Sequence, residues 1–423
     1  MWYHLIGISG VSMRAIAQIL EHQGNKVTGS DLKLSGHSAE NIVDGIDIVV
    51  YTSAVTPESA GWVEIEAAKK KGKKLVKRGK MLAEIVKDYK VIAISGTHGK
   101  TTTTSMIGLT LVKAGLDPLV IVGEEVKDLG GTVRFGKGEW AVIEACEYDR
   151  NFLYFEPTIT VITNIEEEHL DHYPGGLPDL EETFAQFASQ TKAGGSVIIC
   201  GDDKNTVDAS KMISNDGIKI ITYGLDKDNQ ENNLPFELAI PGDHNRRNVL
   251  AAISVARVLG IDASVVESAV SNFRGAHRRF EVKGERKGVT VIDDYGHHPT
   301  EIAALLAGVK EKYPGKKVLA IFWPHQYKRT KAFLNRFPDA FNDADEVIIK
   351  EIFFVPGRDK KLKVSGNNIV ELINEISPGK ASFLDDDDKI VEYLNSKLDK
   401  NYVLVTVGIP PVYKIADKYL EQK

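Results

Sequence analysis

An α/β fold built on several mostly parallel sheets is what this 423-residue sequence predicts. Three observations carry the expectation. Short apolar runs alternate with helix-spaced apolar patterns along the whole chain, the mark of repeated strand–helix–strand units. One such run leads straight into a glycine-bearing turn and a Lys-Thr pair. Acidic or histidine-bearing segments recur just past the ends of other runs, which is where parallel sheets hold ligands.

The first stretch opens on Leu5-Ile6-Gly7-Ile8, followed by a helical pattern through Ala15, Ile16, Ile19 and Leu20. Residues 26–31 read as a second strand ending in the acid Asp31, and residues 47–52 as a third. A helix near 81–86 closes this part, which gives a first domain of residues 1–88. The lysine-rich 69–74 reads as a solvated helix end rather than a nucleic-acid patch.

The next strand, Val91-Ile92-Ala93-Ile94, runs into Ser95-Gly96-Thr97-His98-Gly99-Lys100-Thr101-Thr102. Met106, Ile107, Leu109 and Leu111 then repeat at helical spacing. Strand, glycine turn, Lys-Thr and helix is the layout of a phosphate-binding loop. The turn's amides can close on phosphate oxygens, Lys100 can reach the β- and γ-phosphates, and Thr101 can ligate Mg²⁺. The full G-x-x-x-x-G-K-[ST] pattern would have glycine where Ile94 stands, so the loop is a compact variant in which Gly96 takes the turn.

Later strands of this second domain, residues 89–274, are expected at 140–144, 160–163, 196–200 and 218–223. A helix over 248–259 follows the Pro241-Gly242-Asp243-His244 loop. The third domain, residues 275–423, carries strands at 290–293, 318–322, 346–350 and 402–407. The expected architecture is therefore three α/β domains. The first and last are Rossmann-like, and the central one is a P-loop parallel sheet of the ATPase kind. The acidic run 385–388 reads as a solvated turn or helix start.

Composition narrows the function classes. Hydrophobic residues make up 43% and charged residues 26%, ordinary for a globular chain. A net charge of −6 gives no electrostatic case for nucleic-acid binding. No apolar stretch approaches the length of a membrane span, and the N-terminus lacks the basic and apolar regions of a signal peptide. The two cysteines, Cys146 and Cys200, suit a reducing compartment, so a cytoplasmic protein is expected.

Five further segments carry candidate chemistry. Gly7-Ile8-Ser9-Gly10-Val11-Ser12 joins a strand to a helix, and Asp31 lies about 20 residues on, the spacing of a dinucleotide-binding turn. Ser9 and Ser12 stand where tighter fingerprints have glycine. From spacing alone, ligand binding and plain α/β packing are equal readings. Glu144, Glu147 and Asp149 follow a strand beside the phosphate loop, where an acid either ligates Mg²⁺ or lies in a solvated loop. Cys146 among them reads as a small buried hydrophobe rather than a nucleophile.

His169 sits among acids in Thr163-Asn164-Ile165-Glu166-Glu167-Glu168-His169-Leu170. It completes a metal or phosphate site, or it marks an acidic surface turn. In the last domain, Asp294-Tyr295-Gly296-His297-His298-Pro299 ends a strand. Adjacent histidines seldom converge on one metal, so a polar substrate or nucleotide contact is preferred to zinc. His325 and Arg329 lie four apart, on one face if the segment is helical. Arg329 can grip a carboxylate or phosphate with two N–H groups.

These blocks, in this order and over essentially the whole chain, resemble the Mur ligase family. The resemblance rests on G-T-H-G-K-T-T-T-T-S-M, E-A-C-E-Y-D, I-T-N-I-E-E-E-H-L-D, P-G-D-H-N-R-R-N-V-L-A-A, R-R-F-E, D-D-Y-G-H-H-P-T-E-I and F-W-P-H-Q-Y-K-R-T. It implies a first domain that binds the UDP part of a sugar nucleotide through Gly7, Ser9, Gly10, Val11, Ser12 and Asp31. It implies a central domain that binds ATP, and a third that closes over both and admits the amino acid. Carried over by matched position, Gly96, Thr97, His98, Gly99, Lys100, Thr101 and Thr102 hold ATP phosphates. Thr101 and Glu144 serve one Mg²⁺, and His169 serves a second. Asn245 and Asn248 lie by adenine, Arg279 by phosphate and Asp294 by ribose. Tyr295, His298, His325 and Arg329 face the sugar nucleotide or the amino acid.

The activity implied is ATP-dependent joining of L-alanine to the carboxylate of UDP-N-acetylmuramate, a step of peptidoglycan precursor synthesis, by a monomer or weak dimer without nucleic-acid or membrane partners. The nearest alternative is the recycling ligase that attaches a tripeptide to the same sugar nucleotide. A nucleotide-binding regulatory protein would not need Lys100, Thr101, Glu144 and His169 together. A nicotinamide-dependent dehydrogenase would leave the phosphate loop unused. The chain departs from the family at Gln326 and Lys328, where relatives often carry arginine and a small hydroxyl residue, and at Gly408 to Val412, which replaces a glycine-rich segment.

Overall fold

The computed structural model describes residues 1–271, 273, 275–355 and 359–422, with the side chain of residue 171 left out. The chain forms two compact units, Met1–Leu238 with Asn245–Phe273, and Ala239–His244 with Arg274–Lys423.

The first unit contains two sheets. The N-terminal one has strands β1 (Trp2–Ile6), β2 (Lys26–Ser30), β3 (Ile48–Tyr51) and β4 (Lys74–Lys77), all parallel, in the order β2-β1-β3-β4. Helix α1 (Val11–His22) crosses from β1 to β2 and α2 (Trp62–Lys70) from β3 to β4, and α3 (Arg78–Val86) follows β4. β4 is an edge strand that the lysine-rich sequence hides. Only Leu75 and Val76 mark it, because an edge strand buries little and tolerates lysines.

The larger sheet uses β5 (Lys90–Ser95), β6 (Leu119–Val126), β7 (Gly131–Arg134), β8 (Trp140–Glu144), β9 (Ile159–Ile162), β10 (Ser196–Cys200) and β11 (Lys219–Tyr223). Their order is β11-β10-β9-β5-β8-β6-β7, parallel except that β7 runs against β6. The phosphate-loop strand β5 lies at the centre, between β8 and β9. The ends of all three therefore open side by side. Helix α4 (Lys100–Lys113) follows β5, and α5 (Leu177–Ser189), α6 (Lys204–Ser210), α7 (Asp243–Val258) and α8 (Ala263–Val270) follow in the chain. The two sheets share one continuous apolar core, in which Leu5, Ile16 and Val50 join Val91, Ala93, Ile143 and Phe184.

The second unit holds a sheet of β12 (Glu281–Arg286), β13 (Val289–Asp294), β14 (Lys317–Phe322), β15 (Glu346–Ile349), β16 (Ala381–Phe383) and β17 (Tyr402–Val407). The order is β12-β13-β17-β14-β15-β16, with β12 antiparallel. Helices α9 (Pro299–Lys312), α10 (Tyr327–Ala332), α11 (Phe337–Ala340), α12 (Gly366–Ile376), α13 (Asp387–Lys397) and α14 (Tyr413–Glu421) complete it. The two-residue period of a strand divides its core. Val318, Ala320 and Phe322 face one apolar cluster, and Leu319 and Ile321 face the other.

Two sequence expectations change here. The helix expected at 248–259 begins earlier, at Asp243, so Asn245 and Asn248 both lie on α7. His325 is not on a helix, because α10 starts at Tyr327 with Gln326 as its cap at φ 66°. Within the acidic run, Asp386 caps α13 by accepting the amides of Asp388 and Lys389, as a helix start requires.

Candidate active site

The loop between β5 and α4 turns at two glycines that no larger residue could replace. Gly96 has φ 135°, and a Cβ there would meet Thr163 Oγ1. Gly99 has φ 80°, and a Cβ there would fall 2.7 Å from Asn248 Oδ1. The loop lies on the segment leaving β9. The Thr97 amide donates to the Asn164 carbonyl at 2.9 Å and the His98 amide to Asn164 Oδ1 at 2.8 Å. Thr163 Oγ1 donates to the His98 carbonyl at 2.6 Å. Below the loop, the first-turn amides of α4 form the positive end of a helix suited to phosphate.

Lys100 folds back over this loop. Its ammonium donates to the carbonyls of Gly96 and Thr97 and to Glu147 Oε1 at 3.1 Å. Burial alone would lower its pKa, but the carboxylates of Glu147 and Glu144 outweigh that and hold the ammonium firmly charged. The same burial, with Glu147 alongside, pushes the Cys146 thiol up to about 11, so it is no thiolate nucleophile.

Thr101 Oγ1 donates to Glu144 Oε2 at 2.7 Å, and the Gly123 amide donates to the same oxygen at 3.0 Å. A Cβ on Gly123 would lie 2.6 Å from Glu144 Oε1, so β6 gives this carboxylate its space. A hydroxyl and a carboxylate side by side at the mouth of a phosphate loop are the hard oxygen donors Mg²⁺ takes. The residues fit that ion. Thr103 Oγ1 donates to Asn248 Oδ1 at 3.1 Å, which brings α7 to the loop. Thr102 and Asn245 are buried nearby in sequence order on α4 and α7.

His169 stands at φ 57°, edge-on to Tyr148 at 5.0 Å, with Nδ1 3.7 Å from Glu168. Tyr148 also meets His172 edge-on at 4.3 Å, so the segments after β8 and β9 interlock. Asp149 and Arg150 are both left-handed, at φ 54° and 52°, a strained pair for non-glycine residues. Their contacts hold that shape. Asp149 accepts from Ser53 and from Lys77 at 2.9 Å, both on the N-terminal sheet's side. Arg150 grips Asp179 with two bonds of 2.7 and 2.8 Å.

At the first sheet, Gly7 and Ile8 amides donate to the Ser30 carbonyl, and Gly10 precedes α1, which carries Val11 and Ser12. Asp31 Oδ2 accepts the Ser9 amide at 3.3 Å. The acid and the turn that the spacing paired do meet.

In the second unit, Asp294 is buried and accepts amides of Phe280 at 2.7 Å and Gly296 at 2.6 Å. Burial pushes its pKa up to about 6, against the pull of Arg279. Tyr295 lies under the guanidinium groups of both Arg278 and Arg279, each 5.3 Å away. His298 is fully buried, and its Nδ1 caps α9 by accepting the Thr300 amide at 3.3 Å. Arg329 Nη1 is 3.4 Å from His325 Nδ1, and the His325 ring stacks on Phe353.

Three sequence models match in succession: "Mur ligase family, catalytic domain" over residues 2–90, "Mur ligase middle domain" over 94–256, and "Mur ligase, glutamate ligase domain" over 278–409. This chain belongs to the Mur ligase family. It is 40% identical to the UDP-N-acetylmuramate–L-alanine ligase of Caldanaerobacter subterraneus subsp. tengcongensis, covering 99% of this chain and 97% of that one. The crystal structure of UDP-N-acetylmuramate-alanine ligase from Thermotoga maritima is similar over 100% of this chain and 98% of its own, at 27% identity and a TM-score of 0.82. A murein peptide ligase from Psychrobacter arcticus shares the fold over 99% and 98%, at 22% identity and a TM-score of 0.71.

Within this Mur ligase, Thr101 meets Glu144, and Asn248 meets Thr103 on the helix that Lys100 begins. Sequence reasoning about a Mur ligase missed three residues. Glu147 was one acid among several, yet it is the buried partner of Lys100. Arg278, beside the expected Arg279, is buried and donates to Asp293 and to the carbonyls of Gly408 and Ile409. Glu64 on α2 gave no signal beyond a helical acid, yet it is fully buried.

Proposed function

We propose that this chain joins the amine of L-alanine to the muramyl carboxylate of UDP-N-acetylmuramate, with cleavage of ATP to ADP and phosphate. The observation that supports this best is the Lys100–Thr101–Glu144 arrangement at the β5–α4 loop, in a chain similar end to end to ligases of that name.

The substrate carboxylate is a poor acyl donor. Its oxygen attacks the γ-phosphorus, the bond from phosphorus to the bridging oxygen breaks, and ADP leaves. The carboxylate becomes an acyl phosphate. Lys100 is the fixed positive charge against which two anions can approach, and the loop amides orient the phosphates. Mg²⁺, when bound by Thr101 and Glu144, with a second ion at His169, supplies further charge neutralisation.

The alanine amine then attacks the acyl carbon and gives up a proton, the tetrahedral carbon expels phosphate, and an amide remains. His325 and Arg329 are the residues we assign to the amino acid, Arg329 as the carboxylate grip. Asp31 and the Gly7–Ser12 turn hold the uridine diphosphate.

Phosphate release from ATP in the presence of UDP-N-acetylmuramate, measured amino acid by amino acid, tests the assignment. L-Alanine should give the fastest release. Release no faster than with glycine, L-serine or a tripeptide overturns it, and preference for the tripeptide selects the recycling reaction instead.

A further inference from the structure

A buried carboxylate outside the chemistry organises the mouth of the first sheet. Glu64, on α2, is fully buried, and five donors converge on it. Its Oε2 accepts from Ser30 Oγ at 2.7 Å and His4 Nε2 at 3.1 Å. Its Oε1 accepts from Asn41 Nδ2 at 2.8 Å, the Ser38 amide at 3.2 Å and His37 Nδ1 at 3.3 Å. Two donors belong to strands β1 and β2. The other three belong to the segment that leaves β2.

That segment starts at Asp31, which accepts the Ser9 amide of the β1–α1 turn. In a parallel sheet, the crevice past the ends of such neighbouring strands is where a ligand lies. Glu64 thus ties the far end of the segment to the strands, while Asp31 ties its near end to the turn. A buried charge is a weak device for stability alone, since an apolar residue would serve as well. A fully satisfied buried network instead selects one conformation of what it holds.

We propose that Glu64 is a positioning residue for the sugar nucleotide: it fixes the 31–41 segment against the ends of β1 and β2, and so sets the affinity for the uridine diphosphate part. This rests on the reading of the first sheet as the UDP-sugar site. Glu64 touches no reacting atom and leaves the phosphate loop of β5 untouched.

Calorimetry on the full chain separates the possibilities. UDP-N-acetylmuramate and a non-hydrolysable ATP analogue are titrated separately into the wild type, Glu64→Gln and Glu64→Ala. Glutamine keeps the shape but turns one acceptor into a donor facing donors. We expect UDP-N-acetylmuramate to bind Glu64→Gln on the order of 10-fold more weakly, and Glu64→Ala more weakly still. Affinity for the ATP analogue should stay within about twofold. If Glu64→Ala does not fold, Glu64→Gln alone decides. Unchanged sugar-nucleotide affinity in Glu64→Gln overturns the proposal, and so does an equal loss for both ligands, which would mark a merely structural role. A wild type that binds the ATP analogue but not UDP-N-acetylmuramate overturns the underlying reading and the proposal with it.

Discussion

The Lys100 ammonium and the Glu147 carboxylate form a buried ion pair, with Nζ 3.0 Å from Oε2. The lysine of the phosphate loop is therefore held in place, still charged, by a carboxylate of the segment after β8. Lys100→Ala should lower turnover by a factor on the order of 10³, because a fixed charge on the transferring phosphoryl is lost. It also leaves Glu147 buried without its partner, which should cost about 3–5 kcal/mol of stability. Adding Glu147→Gln to that variant should restore most of the stability and none of the turnover. Denaturant unfolding and phosphate release measure the two effects separately. Binding of UDP-N-acetylmuramate should survive in Lys100→Ala, and its disappearance would contradict the division of substrates between the first two sheets.

Thr101 and Glu144 give a second prediction. Thr101→Val keeps the shape of the side chain and removes the hydroxyl that sits 2.7 Å from Glu144 Oε2. The ion would lose one protein oxygen while the Lys100 contacts remain. The Mg²⁺ concentration for half-maximal activity should rise on the order of 10-fold, equivalent to about 1.4 kcal/mol of lost binding. A magnesium titration at saturating ATP checks this. An unchanged midpoint would remove Thr101 from the metal site.

The parts of this molecule legible in the sequence are those whose evidence is local. β8, β10 and β17 read directly because strands buried on both faces are continuous apolar runs. The loop from Gly96 to Thr101 read because its residues are consecutive. What stayed hidden depends on partners far apart in the chain. Glu64 meets His4, which is 60 residues away, and Arg278 meets Gly408, which is 130 away. No spacing rule links such pairs. His325 and Arg329, which would share a face only if their segment were helical, do not, for a local reason. Gln326 takes a positive φ, so the helix starts only at Tyr327, and the two side chains meet across that turn instead.

Arg278 should prove a structural keystone of the second unit. Its Nε donates to Asp293 at 2.7 Å, its Nη2 to the Gly408 carbonyl at 2.6 Å and its Nη1 to the Ile409 carbonyl at 3.0 Å. The loop past β17 that departs from the family's glycine-rich form is thus held by one guanidinium. Arg278→Met would strand Asp293, which is fully buried, and should cost about 3–5 kcal/mol. Asp293→Asn in the same chain should recover part of that loss. Arg278→Lys keeps the charge but not the fork of donors, and should fall between. Denaturant midpoints rank the variants, and a lysine variant as stable as the wild type would show that the carbonyl contacts carry no weight.

The Glu64 network predicts a specific loss of stability in acid. Burial works against its charge, but hydrogen bonds from His4, Asn41 and Ser30 prevail and lower the carboxyl pKa from 4.5 to about 2. His4 and His37 are the titratable groups facing it. With the folded-state pKa depressed, the network's contribution is complete well above pH 4.5 and is lost as pH falls through 4.5 toward 2, because the unfolded chain takes up the proton first. The full contribution is on the order of 3 kcal/mol, and a large part of it should be gone by pH 3.5. Glu64→Gln has no such proton to take up. The stability gap between wild type and Glu64→Gln should therefore narrow as pH falls from about 5 to 3.5. Urea unfolding of both proteins across that range measures it. A gap that stays constant down to pH 3.5 would mean that Glu64 is not held ionised by its five donors.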